Sequence, residues 1–200
     1  KQAENVKYEL NKINAPEIRY IILTHYHWDH TFGLCNYNKA KIIGNKNCLE
    51  NMKKLKEIPW SEEYIDNDIK ENPEMRKSHE AKKQVIKKWH DFEIKLPNKI
   101  YENEKVLRIG NKKIYIYRLD GKHSNDSTII IDEKEKIAFI GDCFYPPPII
   151  TSKGDKSFDK EVLRKLLNYD VEVYIHGHGR DLKKDDLRRI MDIGEEKGEI

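Results

Sequence analysis

Three histidines and one aspartate lie within six residues near the start of the chain. Imidazole nitrogens and carboxylate oxygens are ligands of Zn²⁺, and Mn²⁺ and Fe²⁺ also accept them. In an extended backbone, residues two apart point the same way, so the first two histidines can hold one ion while the residues past the bend face a second. The spacing therefore predicts half of a two-metal site, formed by His25, His27, Asp29 and His30.

The elements that must position these ligands are short apolar runs. Residues 19–24 are rich in β-branched and aromatic side chains and are predicted to form a buried strand, so the cluster lies on the loop that follows it. The remaining ligand candidates stand beside similar runs at 113–119, 136–141 and 172–175. Since scaffolds gather functional groups on loops from separated segments, we expect these residues to meet. The candidates are His123, Asp142 and His178.

The order of these motifs resembles the metallo-β-lactamase superfamily over about residues 19 to 190. The motifs are Thr24-His25-x-His27-x-Asp29-His30, Gly121-x-His123-Ser124, Gly141-Asp142 and Gly177-His178-Gly179. The resemblance implies an α/β fold, the αββα sandwich of that superfamily, and a cofactor of two Zn²⁺ ions, with Mn²⁺ or Fe²⁺ as alternatives. It implies His25, His27 and His123 on the first ion, Asp29, His30 and His178 on the second, and Asp142 as a bridge.

The chemistry implied by this resemblance is hydrolysis by a metal-bridging hydroxide. Two cations can lower the pKa of water and polarise a substrate oxygen, so no serine or cysteine nucleophile is needed. Asp29 has a further predicted role, in orienting the nucleophile or carrying a proton. The expected substrate is a small molecule with an ester, lactone, thioester or similar bond. The alternatives are a nuclease or phosphodiesterase of the same superfamily and a non-catalytic metal-binding module.

Two neighbouring residues compete for ligand positions. His176 is two residues from His178, but glycines on both sides of His178 allow closer approach of the backbone, so His178 is preferred as the ligand and His176 stays a candidate for a supporting role. Cys143 follows Asp142, and adjacent residues on a strand face opposite ways, so only one can reach the ions. We choose Asp142 and expect Cys143 to be a small buried side chain.

Other candidate residues receive weaker functional predictions. His79 and His90 lie in a highly charged stretch and are expected to be solvated. Tyr145 is similar in position to a tyrosine of some lactonases in the superfamily, but packing against the following prolines is favoured. Pro146 stands where the β-lactamases carry a carboxylate-binding lysine, so β-lactamase activity is not expected.

Composition favours a cytoplasmic enzyme. The 200 residues are predicted to form one domain with a substantial core. Three cysteines, an odd number without scaffold-like spacing, favour a reducing compartment. Charged residues make up 36% of the chain, but the net charge is only +3, which indicates a solvated surface rather than a nucleic-acid interface. No apolar run predicts a membrane span, and oligomeric state is not predicted.

Because only residues 1–24 precede the first ligand, whereas the superfamily has several strands there, we expect the chain to be an N-terminally truncated piece.

Hydrophobic periodicity predicts the remaining elements. Leu49, Met52 and Leu55 begin a helical pattern that predicts two or three helices inserted at about 47–92. Other predicted elements are a helix at 4–13, a strand at 41–44, hairpins 106–109/113–119 and 127–132/136–140, and helices through Phe158, Val162, Leu166 and Tyr169 and through Leu187, Ile190 and Met191.

Overall fold

The computed structural model describes residues 2–144 and 159–196. The helices are α1 (Gln2–Lys12), α2 (Trp28–Thr31), α3 (Lys46–Glu57), α4 (Glu62–Glu71), α5 (Arg76–Val85), α6 (Lys160–Asn168) and α7 (Lys184–Glu196). The strands are β1 (Tyr20–Ile22), β2 (Lys41–Asn45), β3 (Lys99–Tyr101), β4 (Glu104–Ile109), β5 (Lys112–Arg118), β6 (Thr128–Asp132), β7 (Ile137–Gly141), β8 (Val173–His176) and β9 (Leu182–Lys183). Short 3-10 helices cover Phe32–Asn36, Pro73–Met75 and Trp89–Asp91.

The strands form two sheets that pack face to face. The first has the order β1-β2-β3, and its strands are parallel. The second has the order β4-β5-β6-β7-β8-β9 and is antiparallel except for the β7–β8 pair. Alternate side chains of both sheets point into a shared core because side chains along a strand alternate between its faces. That core contains Ile43, Tyr101, Ile116 and Ile130.

Helices cover the outer face of each sheet. On the second sheet, α6 contributes Val162, Leu163 and Leu166, which are all fully buried. Burying a side chain of this size contributes about 1.5–3 kcal/mol, so this amphipathic face holds α6 to the sheet. On the first sheet, Met52 of α3 packs in a core that includes Leu23 of the strand end. The layers are thus helix, sheet, sheet, helix, which confirms the predicted αββα class.

The predicted helical segment and hairpins are also confirmed. Three α-helices, α3 to α5, occupy the region predicted for two or three. The β4–β5 hairpin turns at Gly110, whose φ of 57° is accessible to glycine at little cost. Strands β3 and β9 were not predicted. The helix expected to include Tyr169 ends at Asn168, and Phe158 lies outside the described residues.

The prediction that His79 is solvated is wrong. Its side chain is only 2% exposed, and its Nε2 lies 2.5 Å from Asp68 Oδ2 on the neighbouring helix. Lys82, one turn further along α5, is 3% exposed. The charged composition of this segment did not indicate a buried polar cluster. The imidazole can be buried because α4 supplies a carboxylate that satisfies its hydrogen bond. His90, in contrast, is exposed as predicted.

Among the described residues, none of the helices has the length and apolar character needed to cross a membrane.

Candidate metal centre

Three ring nitrogens from two separate segments converge to form the first ligand group. His25 Nε2 lies 3.0 Å from His27 Nδ1. His123 Nε2 lies 3.2 Å from the same His25 atom and 3.1 Å from His27 Nδ1. His25 and His27 are on the loop after β1, whereas His123 is on the loop between β5 and β6. The three histidines predicted for a first ion are therefore brought together by the two sheets.

The second group combines the start of α2 with the loop after β8. Asp29 and His30 lie in the four-residue helix α2. His178 Nε2 lies 2.9 Å from Asp29 Oδ2 and 3.3 Å from His30 Nε2. The side chain of His178 is 53% exposed and that of Asp29 is 31% exposed. This group therefore forms the more open side of the centre.

Asp142 lies between the two groups. Its Oδ2 is 4.0 Å from His25 Nε2 and 3.7 Å from His123 Nε2 in the first group. The same oxygen is 3.4 Å from His178 Nε2, and Oδ1 is 3.5 Å from His30 Nε2. The carboxylate is 5% exposed. Its position between both groups is the one that a bridging ligand requires.

Two glycines, Gly141 and Gly177, allow the segments around Asp142 to pack closely. Gly141 ends β7 with a φ of 51°, and a Cβ there would lie 2.6 Å from Thr24 Cβ. A Cβ on Gly177 would collide with Asp142 Oδ1 and would lie 2.9 Å from His30 Cε1. A larger residue at Gly177 would therefore displace the carboxylate and the ring at the point where the groups meet, whereas one at Gly141 would displace Thr24.

Burial keeps the first group in the form that binds metal. Desolvation, followed by the charges of His30 and His27, lowers the pKa of His25 to about 2. Burial also lowers the pKa of His27 and of His123. For His30, burial acts to lower the pKa, but the hydrogen bond and charge of Asp142 raise it overall. Neutral imidazoles offer lone pairs to a cation, so these pKa shifts favour the form of the first group that could hold a metal ion.

The donor set fits divalent metal ions. His25 Nδ1 lies 3.2 Å from Thr24 Oγ1, which can accept its hydrogen and leave the lone pair on Nε2. The three nitrogens of the first group are 3.0–3.2 Å apart. Nitrogens bound to one zinc ion at about 2.0–2.1 Å have similar separations, roughly 3.3 Å in tetrahedral geometry. His25 with His30 and Asp142, and Asp29 with His30 and His178, are further sets of converging ligand atoms.

The competing residues occupy supporting positions. His176 is buried, its Nε2 donates to the Phe144 carbonyl at 2.6 Å, and its Nδ1 accepts the His178 N–H at 2.8 Å. The two ring nitrogens of His176 thus fix the backbone at Phe144, which follows the Asp142 segment, and at His178. Cys143 is buried in the core beneath α6, where desolvation raises the pKa of its thiol. The prediction that Cys143 is a small buried side chain is confirmed.

Sequence reasoning missed two residues that support the ligands, Thr24 and Asn45. Thr24 opens the first ligand motif, but the motif alone does not predict that its hydroxyl lies beside the His25 ring. Asn45 is 1% exposed and bonds to the loop that carries His123. An asparagine between a strand and a helix is a recognisable N-cap signal, but its contact with that loop depends on tertiary structure. Tyr145 and Pro146 lie outside the described residues.

Comparison with protein families identifies the class to which this fold and centre belong. The family model described as the metallo-beta-lactamase superfamily matches residues 2–178, so the chain belongs to that superfamily. Its members are generally hydrolytic metalloenzymes. No curated protein sequence is significantly similar to this chain.

Solved structures share the fold at low sequence identity. A metallo-β-lactamase from Pontibacter korlensis is 14% identical, with a TM-score of 0.61 over 95% of this chain and 74% of that one. The DIM-1 metallo-β-lactamase, in a structure exposed to ceftazidime, is 16% identical, with a TM-score of 0.62 over 97% and 74%. A metallo-β-lactamase from Hirschia baltica is 17% identical, with a TM-score of 0.55 over 96% and 74%. These similarities concern the fold.

Proposed function

We propose that this chain is a dinuclear metal-dependent hydrolase that cleaves an ester, lactone, thioester or similar bond of a small molecule. The observation that carries the proposal is the position of Asp142. Its carboxylate lies within 3.4–4.0 Å of ring nitrogens from both ligand groups. Burying a carboxylate costs free energy when its charge is not compensated. A protein without metal chemistry has no reason to bury one among four imidazoles.

Each ligand group would hold one ion, with Asp142 between them. His25, His27 and His123 would bind the first ion, and Asp29, His30 and His178 the second. We propose Zn²⁺ in both positions, with Mn²⁺ or Fe²⁺ as alternatives, because imidazole and carboxylate ligands do not distinguish strongly among them. When bound, such ions would lower the pKa of water and polarise a substrate oxygen.

The exposed side of the centre supports a role for Asp29 beyond metal binding. Its carboxylate is 31% exposed, and its Oδ2 lies 2.9 Å from His178 Nε2. From this position Asp29 could accept a proton from the attacking water or deliver one to a leaving group. The first group is less accessible, since His25 is 1% exposed and His123 is 23% exposed. We therefore place substrate entry on the His178 side.

The proposed context is a single domain in the cytoplasm, with the helical region at about 47–92 as an insertion. Cys35, Cys48 and Cys143 are free thiols, which supports a reducing compartment.

Hydrolysis assays with a panel of substrates test this proposal. Zinc-loaded protein would be assayed with esters, lactones, thioesters, β-lactams and phosphodiesters, before and after chelation. We expect hydrolysis of at least one of the first three classes, lost on chelation and restored by zinc. His123→Ala should abolish it, whereas His90→Ala, which changes an exposed histidine, should not. Cleavage of phosphodiesters alone would favour the nuclease alternative, and no hydrolysis at all would favour the metal-binding module.

A further inference from the structure

We propose that the N-cap residues of two helices, Asn45 of α3 and Asp159 of α6, are positioning residues for His123. The two helices lie in opposite outer layers of the fold, and each uses its cap to hold one flank of the loop between β5 and β6. This inference rests on the proposed function, because it concerns the ligand that completes the first metal group.

Asn45 fastens the loop on the side that follows His123. Its Oδ1 accepts the Cys48 N–H at 2.9 Å, which caps α3. Its Nδ2 donates to the Asp126 carbonyl at 2.7 Å and to Thr128 Oγ1 at 3.0 Å. The side chain is 1% exposed, so these bonds are made away from competing water. One carboxamide therefore joins a helix start to the loop.

Asp159 fastens the loop on the side that precedes His123. Its Oδ1 accepts the Val162 N–H at 3.1 Å, which caps α6. Its Oδ2 accepts the Lys122 N–H at 2.8 Å. Gly121 permits this approach, because a Cβ there would lie 3.1 Å from Val162 Cγ2 and 3.4 Å from Asp159 Oδ2. The residue immediately before His123 is thus tied to the second outer layer.

The loop is also connected to the other ligand segment of the first group. The Thr128 N–H donates to the Thr24 carbonyl at 2.8 Å, and Thr24 Oγ1 lies 3.2 Å from His25 Nδ1. A displacement of Thr128 would therefore change the positions of both His123 and His25. Because the ring nitrogens of the group are 3.0–3.2 Å apart, a small shift of the loop changes the geometry offered to an ion.

Serine substitutions separate positioning from helix capping. Serine is itself a good N-cap, but its side chain is too short to cap the helix and also reach the loop. Asn45→Ser and Asp159→Ser should therefore keep α3 and α6 capped while releasing His123. The matched control is Ser61→Ala on α4, which removes a cap bond of the same kind, donated by the Tyr64 N–H to Ser61 Oγ.

The main measurement is stepwise zinc affinity, determined by competition with a chromogenic chelator. His123→Ala identifies which step belongs to the first group. We expect each serine variant to weaken that step by roughly 10- to 100-fold, the usual cost of losing a residue that orients a ligand, and to leave the other step within about threefold. Ser61→Ala should lower stability without changing either step. Unchanged affinity in both serine variants, or equal weakening of both steps, would overturn the proposal.

Amide hydrogen exchange provides a test that does not depend on zinc. In metal-free protein, we expect faster exchange at Ser127 and Thr128 in Asn45→Ser, and at Lys122 in Asp159→Ser, than in wild type. If wild type bound no zinc while these amides still exchanged faster, the proposed function would fail and the loop anchoring would stand. Exchange at wild-type rates in both variants would refute the anchoring itself.

Discussion

The buried ammonium of Lys82 predicts an unusual dependence of stability on pH. The side chain is 3% exposed, and its Nζ lies 3.3 Å from His79 Nδ1 and 5.0 Å from the centre of the Trp28 ring. Burial lowers its pKa to about 8, although the charges of Asp29 and Asp68 favour the protonated form. Replacing Lys82 with methionine retains an unbranched side chain against the indole and removes the charge.

The magnitude and sign follow from proton linkage. Lowering the pKa from 10.5 to about 8 corresponds to about 3 kcal/mol, at about 1.4 kcal/mol per pH unit. Below pH 8 both the folded and the unfolded chain hold the proton, and the folded state bears the full cost of burying it. Between pH 8 and 10.5 the unfolded chain binds more protons, so the stability due to this group rises with pH.

Urea denaturation of metal-free protein from about pH 7 to about pH 10.5 measures this effect. The free energy of unfolding of wild type should rise relative to that of Lys82→Met by up to about 3 kcal/mol across the range. The control is Lys77→Met, the same change at an exposed position of α5, and it should follow wild type. Parallel pH profiles for wild type and Lys82→Met would refute the reasoning.

Three further predictions concern the centre and the core. Gly177→Ala should reduce bound zinc in elemental analysis, because its Cβ would collide with the Asp142 carboxylate. His178→Ala should keep about one ion per chain, whereas the exposed His90→Ala should keep about two, as measured by mass spectrometry under native conditions. Leu163→Ala, at a fully buried position under the second sheet, should cost about 2–5 kcal/mol in urea denaturation and leave the zinc content unchanged.

The elements that sequence predicted best are those with strong local patterns. The Ile-Tyr repeat of β5, the continuous apolar run of β6 and the amphipathic face of α6 are patterns that are visible in one segment at a time. The short strands β3 and β9 have no such pattern. They form because a neighbouring strand supplies hydrogen-bond partners. For β3 that neighbour is β2, where Gly44 pairs with Ile100.

Residues whose environment comes from another element were the hardest to predict. His79 stands in a charged stretch, but Asp68 of α4 and the aromatic rings near Lys82 make its position buried. Asn45 could be predicted as a helix cap, but not as a contact of the His123 loop. The predicted ligand residues, in contrast, follow strands whose C-terminal ends lie at the same end of the two-sheet sandwich. The order of strands and ligands in the sequence therefore predicted that these residues lie close together, although it could not supply the distances.

The most direct test of a dinuclear centre is the zinc content of purified protein, measured by elemental analysis after zinc loading and removal of unbound metal. Two ligand groups joined by Asp142 predict about two zinc ions per chain, falling when His123 or His178 is replaced by alanine. At most one ion per chain in the wild-type protein would contradict the dinuclear assignment.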